Sequence, residues 1–135
     1  MFLPELSTRE KYLFLELADK IITASEKNSG NRDALILAYE REMGLKNSYD
    51  FVGINLETIK SQLTDERAKR IIFLELLSLC MIGQDYLNEN DLLNQIIDSL
   101  GFDSGYVDEC KDWVKRLNEI YAIGRDLISK QRMPS

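Results

Sequence analysis

Asp85, Asn88, Glu89 and Asp91 put several oxygen-bearing side chains into one short stretch, and hard cations such as Ca²⁺ or Mg²⁺ are held by such oxygens. The same letters also read as a helix start, with Asn88 as the cap and Glu89 and Asp91 in a first turn where the helix dipole favours acids. No glycine supplies the sharp loop of an EF-hand type site, so the expectation is structure, with a divalent-metal sensor as the competing reading. Glu75 is the more unusual carboxylate. It has no basic residue three or four positions away, so if buried it needs a tertiary partner or an upward-shifted pKa. Solvent access along a stripe shared with Ser78 is the expected alternative. Glu75 and Asp85 are the only pair on which a carboxylate-only hydrolase would rest. The chain has 0 His, which removes the usual general base, the Ser-His and Cys-His nucleophile pairs and the Glu-x-x-His element of helical-bundle metal sites. There is no P-loop, no GxGxxG after a strand and no GxSxG, so no enzyme and no cofactor is expected. Cys80 and Cys110, 30 residues apart without CxxC spacing, read as small core residues.

Composition narrows the partners. At 135 residues the chain is the size of one domain that can build a core without disulfides or metal. Seventeen Lys and Arg against 23 Asp and Glu give a net charge of −6, with the bases scattered among acids, which disfavours nucleic acid. The longest apolar run, Ile71 to Gly83, falls short of the ~20 residues a bilayer requires, so no membrane span is expected. The start, MFLPELSTREK, has neither a basic n-region nor an apolar h-region, and a cytoplasmic location is expected.

The positioning elements are helical by pattern. Ser7 and Glu10 form a capping box before a stripe of Leu13, Phe14, Leu17, Ala18, Ile21 and Ile22, with Glu16, Lys20, Thr23 and Lys27 on a solvated face. A second helix runs from about Arg32 to Met43 with Leu35, Ala38 and Tyr39 inward and Gly44 as its stop. The stretch from Lys46 to Asn55 has no period and reads as a loop. Its Tyr49, Phe51 and Val52 either plug the edge of the core or offer a partner an apolar patch. A short helix of Leu56, Ile59 and Leu63 follows the cap Asn55. Thr64 then caps the central helix, which is apolar nearly all round from Ile71 to Gly83 and must lie inside. Leu92, Leu93, Ile96, Ile97 and Leu100 make the next helix, halted by Gly101. The last and longest starts at Asp103 and carries an apolar seam from Val107 to Ile128. Gly124 on that seam is expected to admit another helix closely. No stretch alternates like a strand.

Phe14-Leu15-Glu16-Leu17 recurs letter for letter as Phe73-Leu74-Glu75-Leu76. Each copy is followed by a polar loop, a shorter helix and a Gly-centred stop, Met43-Gly44-Leu45 and Leu100-Gly101-Phe102, which points to a duplicated helical hairpin about a pseudo-twofold axis. In this arrangement the chain resembles the tellurite-resistance TerB-like family of small all-helical domains, from about Tyr12 to Phe102. That family typically carries an Ala-Asp-Gly step at the end of the long helix and a later acid. Here Ala24-Ser25-Glu26 lacks the Asp-Gly pair, while Gln84-Asp85-Tyr86-Leu87 keeps the Asp, loses the Gly and places Asp91 at the later acid.

The expectation is therefore a single all-α domain, residues 1–135, a bundle of about six helices built from two related hairpins plus a long C-terminal helix. The resemblance implies a non-enzymatic interaction or scaffold module linked to bacterial stress or tellurite response. Its candidate binding residues are Tyr49, Phe51, Glu75, Asp85 and Asp91. The partner is a protein the sequence does not name, a second copy of the chain included.

Overall fold

Six α-helices and no strand make up the described part of the computed structural model, residues 1–24, 29–81 and 91–130. They are α1 (Thr8–Ala24), α2 (Arg32–Glu42), α3 (Leu56–Gln62), α4 (Glu66–Cys80), α5 (Asp91–Leu100) and α6 (Ser104–Ser129). Short 3-10 turns at Leu3–Glu5 and Ser29–Asn31 precede α1 and α2. The chain divides into a unit spanning Met1–Phe102, which holds α1 to α5, and a unit spanning Asp103–Ser135, which holds α6. No helix among the described residues is long and apolar enough to cross a membrane.

Local chemistry sets the helix ends. At α1 the capping box forms in both directions: the Ser7 amide donates to Glu10 Oε1 at 2.8 Å, and the Glu10 amide donates to Ser7 Oγ at 3.2 Å. Asn55 and Asp103 accept from the amides of Thr58 and Tyr106, as their positions predict. The cap of α4 falls one residue later than expected. Asp65, rather than Thr64, accepts from the Ala68 amide, and its charge adds a favourable interaction with the helix dipole.

Both long helices of the first unit are central. In α4, Ile72, Phe73, Leu76 and Leu77 are fully buried, as an all-round apolar segment requires. The sequence gives α1 a solvated face through Glu16, and the structure corrects this. Every residue from Leu13 to Ala18 is buried, Glu16 included at 1 % exposure. The cause is position: α1 touches α2, α4 and α5, and the loop after α2 crosses its remaining side. The inward face of α2 is also rotated from the expectation. Ile36 and Glu40 are buried, whereas Ala38 is exposed and Leu35 is intermediate, because three apolar letters in a row at 35–37 leave the period ambiguous.

Gly44 and Gly101 end α2 and α5 in the left-handed region, with φ of 69° and 76°. After α2 the Leu45 amide donates to the Glu40 carbonyl at 3.0 Å and the Gly44 amide to the Arg41 carbonyl at 3.1 Å, a Schellman closure. A Cβ on Gly44 would meet no atom within 4 Å, so replacing it tests backbone conformation alone. Gly44→Ala is expected to lower stability by about 1 kcal/mol through the left-handed penalty, read as a shift in the urea midpoint. An unchanged midpoint would mean that α2 ends some other way.

In α6 the buried residues stop at Val114: only Val107, Cys110 and Val114 are buried. The apolar seam read from the sequence continues past them without cover. A Cβ built on Gly124 would meet no heavy atom of the described residues within 4 Å.

Candidate functional site

Glu16 is the centre of a polar arrangement that joins α1 to the loop after α2. Held inward by α1, its carboxylate accepts from the Tyr49 hydroxyl at 2.6 Å, the Val52 amide at 3.0 Å and the Ile54 amide at 3.1 Å. Gly53, with φ of 70°, lets the loop fold around those oxygens. The other end of Tyr49 is held by a second buried carboxylate: its amide donates to Glu40 Oε2 at 2.6 Å. Burial pushes the Glu16 carboxyl up, but the Tyr49 hydroxyl and the backbone amides of Val52, Ile54 and Gly53 outweigh that and hold it below the ordinary 4.5. Tyr49 moves the other way. Its phenol is raised by burial and by the neighbouring Glu16 carboxylate.

Aromatic packing extends the arrangement. Tyr49 stacks on Tyr12 at 4.8 Å between ring centroids and meets the edge of Phe51 at 4.9 Å. The Arg32 guanidinium lies 4.5 Å from the Phe51 centroid and pairs with Asp19 at 2.6 Å and Asp33 at 2.9 Å. Tyr49 and Phe51 are half-buried in these contacts. Val52, 70 % exposed, is the loop's outward apolar residue. Beside the loop lies a surface groove of about 580 Å³ lined by Thr8, Lys11, Tyr12 and residues 44–50. Lys11 is already engaged there with the Met43 carbonyl at 3.0 Å, and the other charged liners, Lys46 and Asp50, are of opposite sign.

Glu75 uses the same device in the second copy of the repeated tetrapeptide. At 8 % exposure it does not take the solvent route expected for it. Its Oε1 accepts from the Met1 amine at 2.8 Å and the Phe2 amide at 3.0 Å, and the amine also reaches Glu42 Oε2 at 2.6 Å. Burial lowers the amine pKa, but the two carboxylates outweigh it and raise the value above 8.0. Tyr39 sits beside this group, its phenol raised by burial and then by Glu75 and Glu42. Glu16 and Glu75 thus each hold an irregular segment by its backbone donors. That pairing is legible in the repeat, which gives both residues one role.

No family model, curated protein or solved structure matches this chain. The site therefore stands on its own geometry. The structure brings Tyr49 and Phe51 together, places Glu75 against the N-terminal segment, and puts Asp91, exposed, at the first residue of α5. Asp85, with Asn88 and Glu89, lies outside the described residues. Among the described residues no three His, Cys, Asp or Glu converge as a metal site. Burial pushes the Cys80 thiol up to about 12. The Cys110 thiol is raised by burial against an opposing hydrogen bond with Tyr106, so neither is poised as a thiolate near neutral pH.

A different surface was missed from the sequence. Beyond Val114, α6 exposes Ile120, Tyr121, Ile123, Leu127 and Ile128, between 51 and 85 % accessible. Their spacing of three and four residues gathers them on one face. The apolar seam was visible in the sequence; that it lies uncovered was not.

Proposed function

We propose that this chain is a non-enzymatic interaction or scaffold module, resembling the TerB-like domains and serving a bacterial stress or tellurite response by binding another protein chain. The observation that supports this is the bare apolar face of α6, since large exposed apolar patches on soluble proteins mark contact surfaces. A helix with such a face is a common recognition element, read through anchors at i, i+3, i+4 and i+7. The buried carboxylates support the same reading. Glu16 and Glu75 are engaged by backbone donors of the chain itself, which suits a structural use better than a reactive one.

The test is the double variant Ile120→Glu with Leu127→Glu, introduced in the native host. Both side chains are exposed, so helicity and melting temperature of the purified protein are expected to hold. Chains co-purifying with the wild type should be lost from the variant, and growth on tellurite should become more sensitive. Unchanged co-purification together with unchanged tolerance would refute the proposal.

A further inference from the structure

We propose that Glu42 and Glu75 form a socket for a free α-ammonium group, and that the unblocked amine of Met1 is the cation it takes. The two acids call for a cation from their own positions. Glu75 is buried in α4, and no Lys or Arg side chain of the described residues pairs with it or with Glu42. A carboxylate taken out of water needs a countercharge or must give up its own charge. Glu42 is the last residue of α2, the end at which the helix dipole disfavours an acid and favours a cation. Tyr39, beside both acids, is a phenol held neutral by burial, so it brings no positive charge. One ammonium meets both demands, 2.6 Å from Glu42 Oε2 and 2.8 Å from Glu75 Oε1.

The N-terminal turn delivers the amine to this place. Leu3 is fully buried and Leu6 nearly so, the Leu3–Glu5 turn packs against α4, and Glu5 pairs with Arg67 of that helix. The Phe2 amide donates to the same Glu75 oxygen at 3.0 Å, which fixes the direction of the amine as well as its position. Selectivity follows from donor count and charge. A free ammonium offers three N–H donors and a positive charge, whereas an acylated amine, or one extended by a further residue, is a neutral amide with a single N–H. Such an amide satisfies one carboxylate at most, leaving the other without a donor and two like charges with no cation between them. Acylation or extension at Met1 therefore loosens the hold of α4 on the N-terminal segment.

The experiment has two parts. Mass spectrometry of the N-terminal peptide, from protein purified from its native host, should show an unblocked Met1. Urea unfolding then compares the full chain beginning at a free Met1 with the same chain carrying Gly-Ser ahead of it, each with Glu75 intact and as Glu75→Gln. Extension should raise the unfolding equilibrium constant about tenfold. Glu75→Gln should raise it by a similar factor in the free-amine protein and by about twofold or less in the extended one, because the cation that the acid serves is already gone. A steric clash from the added residues would instead leave the cost of the glutamine unchanged. Should Glu75→Gln fail to fold, Glu42→Gln, at a more exposed side chain, completes the same cycle. A blocked or extended N-terminus in the host, equal unfolding constants for the free and extended chains, or a glutamine cost that is the same in both would each overturn the proposal.

Discussion

Glu16→Ala is expected to destabilise the protein by about 3 kcal/mol, because it leaves one phenol and two backbone amides without their acceptor in a buried site. The loss should be local before it is global. Amides of Val52 and Ile54 should exchange with solvent faster than those of α4 under native conditions. The pH dependence has two limbs. Glu16 is held below its ordinary 4.5, so its contribution is fully present above that value and is lost as pH falls through the lower folded value. Tyr49 is raised above its ordinary 10.0, so its contribution is present below 10.0 and is lost as pH rises through the higher folded value. The stability gap between the wild type and Glu16→Gln, measured by urea unfolding, should accordingly be widest between about pH 5 and 9 and should narrow as pH falls through the lowered folded value. A gap independent of pH would show that the charge of Glu16 contributes nothing.

Phe73→Ala is the second large effect, about 4 kcal/mol and roughly 10 °C in melting temperature. Phe73 is fully buried in α4 and packs on Phe102 with ring centroids 4.9 Å apart. Truncation removes apolar area from the core, opens a cavity between helices and deprives Phe102 of its neighbour. Phe14, its counterpart in the repeated tetrapeptide, is equally buried and meets the edge of Tyr39 at 5.0 Å. Val52→Ala, at an exposed position, is the control and should stay within about 0.5 kcal/mol of the wild type. Thermal unfolding of the three proteins decides the matter. If Phe73→Ala behaved like Val52→Ala, α4 would not be the core helix described here.

The two effects differ in how well the chain announced them. Burial of Phe73 follows from Ile71 to Gly83 being apolar in nearly every helical direction, a pattern only an interior position satisfies. Burial of Glu16 contradicts its neighbours Lys20 and Thr23, with which it shares a polar face, and the repeated tetrapeptide was the one signal linking it to Glu75. The loop residues that justify burying it lie 33 to 38 positions away in sequence, beyond any local period.

By itself the sequence determined the helices and several of their ends, the cap of α4 being one that it misplaced by a residue. The Ser7–Glu10 capping box, the Asn and Asp caps and the left-handed glycines act over three to five residues, and the chain carries that information locally. Only the tertiary structure decided which acids are buried, which face of α2 turns inward, and that the apolar seam of α6 runs on uncovered beyond Val114. The reason is that amphipathicity states a need for cover, whereas cover is supplied by segments far along the chain or by another molecule, and no local pattern records which.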